Sequence, residues 1–217
     1  MAWYGGDFED ALDAYIKFPC GIHVDKNGDL LIADRGNNRI RKVNKHGIIH
    51  TVAGDGLFAS RGDNGPALQA NLAYPTGVTS DDKGNIYIAD RNNSRIRKVD
   101  TNGVITTIMG TGATHFNGDQ MLAPQANLDL PFALAFDPTY ENLYVVDRSH
   151  FRIRKLNFKT QRVETVAGNG ESLFKGSQGS ALGATLNSPA GIVLDMEGNL
   201  IFADQMHNSL RKISPAG

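Results

Sequence analysis

Short apolar runs separated by polar, glycine-bearing turns recur along the chain. The first set runs GIHVD (21–25), the turn Lys26-Asn27-Gly28, DLLIAD (29–34), a polar loop, RIRKV (39–43), a turn at Lys45-His46-Gly47, and IIHTVAG (48–54). These runs are rich in Ile, Val and Leu and too often interrupted for core helices. Each therefore predicts a β-strand, with turn residues where hairpins need them. The exception is DNGPALQANL (63–72), where Pro66 precedes Ala67, Leu68, Ala70 and Leu72. That spacing predicts one short amphipathic helical turn, with copies in DALDAYI, APQANL and SALGATL.

The whole set repeats. ADRGNNRIRKV (33–43) returns as ADRNNSRIRKV (89–99), VDRSHFRIRKL (146–156) and ADQMHNSLRKI (203–213). Pro19, Pro75, Pro131 and Pro189 open the matching stretches PCGIHVD, PTGVTSD, PFALAFD and PAGIVLD. Gly6, Gly62, Gly118 and Gly176 lie thirteen residues before these prolines, and Ala14, Ala70, Ala126 and Ala184 lie five before. A last block, GIIHTVAGDG (47–56), returns as GVITTIMGTG (103–112) and RVETVAGNG (162–170), in three copies only. Four strands per unit, repeated at about 56–58 residues, mark an all-β fold built of β-propeller blades. The expected organisation is a single domain, 1–217, with repeats at about 6–61, 62–117, 118–175 and 176–217. The last blade should lack its outer strand, because the chain reaches Ser214-Pro215 where that strand's block would begin.

These residues resemble NHL repeats of the longer form. The likeness is carried by Pro75-x-Gly77-Val78, Asp81, Gly84-Asn85-Ile86-Tyr87-Ile88-Ala89-Asp90, Asn93, Arg95-Ile96-Arg97-Lys98-Val99 and Thr107-Ile108-Met109-Gly110, and it covers nearly the whole chain. The resemblance implies a propeller used as a scaffold or recognition module. NHL proteins resemble six-bladed rings, so four units make either a small closed ring or part of a larger one, and the four-bladed arrangement is expected. Closure by an N-terminal strand would require 1–4 to depart from the repeat, since they align beyond the outer strand. An open edge at Arg211–Ser214 would instead invite pairing with another chain, so the chain is expected as a monomer or self-associated through that blade. The departures are Ala133, where the other repeats have Gly21, Gly77 and Gly191, one extra residue in the turn 137–142, and Gln205 and Ser209 in place of arginines.

Composition narrows the function classes. Twenty-four glycines in 217 residues exceed the usual ~7% and fit many tight turns. A net charge of −1 supplies no global field toward nucleic acid or an anionic membrane. No run is long and apolar enough for a membrane span, and acidic residues stand at the N-terminus where a signal peptide carries basic and apolar blocks. A cytoplasmic location is expected. Cys20 is the single cysteine, which rules out an intramolecular disulfide and a cysteine-based zinc cluster.

Strand direction alternates, so the loop after the second strand and the loop between blades share one face, the expected binding surface for a protein or peptide. The candidate binding residues on it are Arg35, Asn37, Arg91, Asn93, Arg148, His150 and His207. Periodic arginines could instead bind phosphate or single-stranded RNA. The simpler account is that Arg39, Arg95 and Arg152 pair with Asp34, Asp90 and Asp147 and pin each loop, since a feature in every blade usually solves a problem every blade shares. His23 stands out on the innermost strand, opposite Thr79, Ala135 and Val193 in the other repeats. A channel metal would need about three converging ligands, and the matching positions offer none, so no metal or other cofactor is expected. This argues against a metal-dependent lactonase- or lyase-like propeller, the enzymatic alternative. Asp63 and Asp119 lack the ligand spacing of a calcium loop, the Gly-x-Gly pairs lack a phosphate-loop continuation, and no GxSxG element marks a nucleophile. Asp25, Asp81, Asp137 and Asp195 are expected to accept turn N–H bonds.

Overall fold

The computed structural model describes residues 4–174 and 179–215. Gly176 and residues 1–3 of the N-terminal segment weighed for ring closure lie outside them. The chain divides into two compact units, Met1–Ile108 and Met109–Gly217. The first unit carries two antiparallel sheets. One is formed by β1 (Glu9–Asp10), β2 (Ile22–Val24), β3 (Leu30–Asp34), β4 (Arg39–Val43) and β5 (Ile48–Ala53); the next by β6 (Gly65–Pro66), β7 (Pro75–Ser80), β8 (Ile86–Asp90), β9 (Arg95–Val99) and β10 (Val104–Met109), whose last residue opens the second unit. The second unit holds β11 (Met121–Leu122), β12 (Pro131–Phe136), β13 (Asn142–Asp147), β14 (Arg152–Asn157) and β15 (Arg162–Ala167), then the three-stranded sheet β16 (Pro189–Leu194), β17 (Leu200–Asp204) and β18 (Ser209–Ile213). The fold is all-β and of propeller type, with four blades, and the last one carries no outer strand among the described residues.

The first three blades have five strands where the sequence pattern predicts four. The extra strand is two residues long and comes from the segment upstream of each blade: Glu9 pairs with Ile49, Pro66 with Val104, and Met121 with Val163. Gly65-Pro66 carries no strand pattern, and proline withholds an N–H. It is tolerated because this strand lies at the sheet edge, where the ladder needs little from it. The predicted helical turn follows directly as a single 3-10 turn at Ala67–Gln69, repeated at Ala123–Gln125 and Ala181–Gly183, while the first copy is turn only.

The first hairpin turn of every blade is built as expected. Asp25 Oδ1 accepts the N–H groups of Asn27 (2.8 Å) and Asp29 (3.1 Å), and Asp81 does the same for Lys83 and Asn85 at 3.0 and 2.8 Å. Asp137 and Asp195 accept the N–H groups of Asn142 and Asn199. In the first two repeats the spaced Gly and Ala also acquire a cause. At Gly62, φ is +93°, and a Cβ there would sit 2.7 Å from Ala70 Cα. Only glycine meets both demands, and only a small residue at position 70 lets the loop close onto the 3-10 turn.

Apolar side chains between blades form the cores. In the first unit Leu31, Ile40, Leu72, Val78, Ile88 and Ile105 pack together; in the second, Val146, Ile153, Leu186, Leu200 and Phe202. Repeat-equivalent positions diverge in burial. Ile40, Ile96 and Ile153 are fully buried, yet their counterpart Leu210 on β18 is 81% exposed. Leu72, Leu128 and Leu186 are fully buried, yet Ile16 is 37% exposed. Among the described residues no helix is long and apolar enough to cross a membrane.

Candidate functional site

The loop after the second strand is a 3-10 turn in three blades, Arg35–Asn37, Arg91–Asn93 and Gln205–His207, each closed by a left-handed residue, Asn38, Ser94 or Asn208. Its base is a fully buried aspartate: Asp34, Asp90, Asp147 or Asp204. Each accepts a backbone N–H from the segment ahead of its blade's proline: Lys17 on Asp34 and Asp129 on Asp147, both at 2.8 Å, and Ala73 on Asp90 and Asn187 on Asp204, both at 2.7 Å. The third residue of the turn then bends inward to the same carboxylate. Asn37 Nδ2 donates to Asp34 at 2.9 Å, Asn93 Nδ2 to Asp90, His150 Nδ1 to Asp147 and His207 Nδ1 to Asp204, the last three at 2.8 Å.

Four of the seven sequence-selected residues are therefore occupied within the loop. Their other bonds also run inward: Asn93 Nδ2 reaches Ala59 O at 2.7 Å, His150 Nε2 reaches Thr114 O at 2.7 Å, and His207 Nε2 reaches Ser172 O at 3.0 Å. Each of these carbonyls belongs to an inter-blade loop, so the turn and that loop are tied into one surface. Both nitrogens of His150 face oxygens that can only accept, an arrangement that suits the imidazolium. Burial works against that charge, but the Asp147 hydrogen bond and charge outweigh it and raise the His150 pKa. At the equivalent aspartate of the second blade, burial is the largest influence. It lifts Asp90 to about 6 against the opposing bonds from Ala73, Asn93 and Arg97.

The ion pairs to these aspartates come from a different arginine than the sequence suggests. Arg41 Nη1 lies 3.6 Å from Asp34, Arg97 Nη1 3.2 Å from Asp90, Arg154 Nη1 3.4 Å from Asp147, and Arg211 Nη1 3.4 Å from Asp204. These stand two residues beyond Arg39, Arg95 and Arg152, on the same face of the strand but one step deeper into the sheet. From there the guanidinium also reaches the inter-blade loop, pairing with Asp7 at 2.8 Å, Asp63 at 2.8 Å and Asp119 at 3.1 Å in the first three blades. Asp63 and Asp119 are thus loop anchors. Asp119 in addition accepts Thr165 N–H at 2.8 Å.

Arg39, Arg95 and Arg152 bond to backbone instead. Arg39 donates to Asn37 O (3.1 Å) and Asp55 O (2.6 Å), Arg95 to Asn93 O (2.9 Å), and Arg152 to His150 O (2.8 Å) and Asn169 O (3.0 Å). A residue two before the spaced glycine covers them: Tyr4 stacks on Arg39 at 3.7 Å and Phe116 on Arg152 at 3.9 Å. In the second blade that residue is Ser60, whose Oγ accepts from Arg95 at 3.1 Å. In the fourth, where Ser209 replaces the arginine, Phe174 packs edge-on against His207 at 5.1 Å. The missed signal was a glycine followed by aspartate, Gly6-Asp7, Gly62-Asp63 and Gly118-Asp119, recurring with a second arginine.

Arg35, Arg91 and Arg148, at the first position of the loop, are half-buried. Arg35 lies over the Tyr74 ring at 5.3 Å, and Arg91 donates to Asn92 Oδ1 at 3.0 Å. Arg148 lies over Phe132 at 4.5 Å and donates to Gln205 Oε1 at 2.6 Å. Gln205 holds the repeat position of these arginines, so the departure in the fourth repeat replaces a like-charge contact with an acceptor. His23 is engaged with Ser80 Oγ at 2.9 Å, and burial, partly offset by Asp25, lowers its pKa. Among the described residues no three His, Cys, Asp or Glu side chains are grouped to hold a metal ion.

A family model described as Teneurin NHL domain matches residues 4–61 and 57–170. Mouse Teneurin-4 is 29% identical over 219 aligned residues, covering 88% of this chain and 8% of the relative. Human NHL repeat-containing protein 2 is 32% identical over 145 residues, 63% of this chain and 20% of the relative. The chain thus spans a small part of the curated relatives it matches. A solved nidogen/laminin complex contains a chain of the same fold, with a TM-score of 0.62, 21% identity, and coverage of 91% of this chain and 60% of that one.

Proposed function

The chain belongs to the family of teneurin-type NHL domains, and we propose that it is a noncatalytic interaction module. It takes a protein or peptide on the loops headed by Arg35 and Arg91 in the first unit and by Arg148 in the second. One observation carries this reading: Asn37, Asn93, His150 and His207 turn onto the buried aspartates, while Arg35, at the head of the same kind of loop, is half-buried over the Tyr74 ring. A guanidinium held over an aromatic ring keeps donors for carboxylate or backbone carbonyl oxygens. Arg35 is so held. The solved relative in a nidogen/laminin complex supports protein binding as a use of this fold, by analogy.

Selection of a displayed peptide library on the whole chain tests the reading. Enriched peptides should bind the chain with Arg35, Arg91 and Arg148 all changed to alanine at least about tenfold more weakly, with the far-UV circular dichroism unchanged. Equal binding to both forms would place recognition elsewhere.

A further inference from the structure

The loops are not uniform, and one departure from the repeat in the first unit is apolar. The inter-blade loop after β5 presents Leu57 and Phe58, 65% and 56% exposed. The same positions in the next two loops are Ala113 and Thr114, then Glu171 and Ser172. Phe58 meets Tyr74 edge-to-face with ring centroids 5.2 Å apart, and Tyr74, itself 38% exposed, carries the Arg35 guanidinium over its ring. The counterparts of Tyr74 are Phe18, Leu130 and Ser188.

The patch is built on fixed backbone. Tyr74 N–H donates to Asn38 Oδ1 at 3.0 Å, on the Arg35 loop, and its neighbour Ala73 accepts Asn92 N–H at 3.0 Å, on the Arg91 loop. On the far side Ala59 O accepts from Asn93, so residues 57–59 lean on the same Arg91 loop. Three apolar side chains are therefore flanked by Arg35 and Arg91, with Arg61 exposed further along the loop. The acidic groups nearby are engaged: Asp55 takes Leu57 N–H at 2.8 Å and Asn71 Nδ2 at 2.7 Å, and Asp90 is fully buried.

Resting on the loop-face reading above, we infer that Leu57, Phe58, Tyr74 and Arg35 form a docking site for an acidic peptide that inserts one large apolar side chain. The apolar residue covers Leu57 and Phe58, and a flanking carboxylate meets Arg35. Charge complementarity selects the acidic partner, and the exposed aromatic pair supplies the anchor that gives most of the energy at such sites. A single-stranded nucleic acid fits less well, because the Tyr74 ring already carries a guanidinium where a base would stack.

Fluorescence anisotropy on the whole chain tests the site. The probe is a fluorescein-labelled peptide with Trp-Leu flanked by Asp and Glu; controls replace the acidic residues by Lys, or Trp-Leu by Ser-Ser. The acidic Trp-Leu peptide should bind, and each control should bind at least about tenfold more weakly. Phe58→Ser and Arg35→Glu should each weaken the probe about tenfold, while Lys45→Glu, in the exposed turn between β4 and β5, leaves it unchanged. Binding lost with Arg148→Glu but kept in Phe58→Ser overturns this site and leaves the loop-face reading standing. No binding of the probe also overturns this site, while peptides selected by display still judge the broader reading. Displacement of the probe by oligouridine with equal loss in both patch variants would assign the patch to nucleic acid and overturn the inference.

Discussion

Arg97 holds Asp63 and Asp90 with one guanidinium: Nη2 lies 2.8 Å from Asp63 and Nη1 3.2 Å from Asp90, with the arginine buried. It joins the inter-blade loop to the end of the second strand, so removing it leaves a buried carboxylate without its cation. Arg97→Ala should cost about 3–5 kcal/mol. Asp63→Asn removes a partner that is 42% exposed, and solvent screening limits the loss to roughly 1 kcal/mol. Urea unfolding of both variants checks the ratio, and equal costs would refute the anchoring role given to the arginine.

His150 stands where the first two blades have Asn37 and Asn93, so His150→Asn restores the repeat and keeps a donor to Asp147. The folded protein holds the His150 pKa above its ordinary 6.5. A raised value contributes stability fully below about 6.5 and loses it as pH rises through the folded pKa. The wild type should therefore lose its advantage over the asparagine variant as pH rises from about 6.5 through the raised folded pKa. Denaturant titrations at several pH values measure the gap, and a gap that widens with pH would contradict the assignment.

Gly62→Ala should destabilise by about 2 kcal/mol or more, since it combines a left-handed backbone with a clash against Ala70. Gly103→Ala meets nothing within 4 Å and should cost about 1 kcal/mol, the conformational share. Thermal melts of the pair separate clash from backbone preference.

Ile96→Ala removes a fully buried side chain and should cost about 2–5 kcal/mol. Leu210→Ala, at the equivalent position but 81% exposed, should fall within about 0.5 kcal/mol of wild type. A large loss at Leu210 would mean that position is covered in solution, and light scattering on the same samples would show whether a second chain covers it.

The repeat, the strands, the Asp-capped hairpins and the 3-10 turn were legible because each depends on neighbours within a few residues. Apolar runs set strand content, glycine and asparagine set turns, and proline sets the start of the 3-10 turn. Gly65-Pro66 was not legible as a strand, because its pairing with β10 is set by the edge it happens to meet and not by its own propensity. The candidate site divides the same way. Arg35, Arg91 and Arg148 were visible as recurrent charges, but nothing local separates them from Asn37, Asn93, His150 and His207, whose side chains turn inward to an aspartate three residues away. Sequence by itself determined the blades and their internal hairpins, which are local hydrogen-bond and burial choices. Tertiary structure decided which arginine reaches the buried aspartate, and that Phe58 meets Tyr74 beside Arg35. The first depends on a guanidinium that joins the end of its own hairpin to an inter-blade loop, as Arg97 joins Asp90 to Asp63, and the second on loops from neighbouring blades that meet only when the sheets pack.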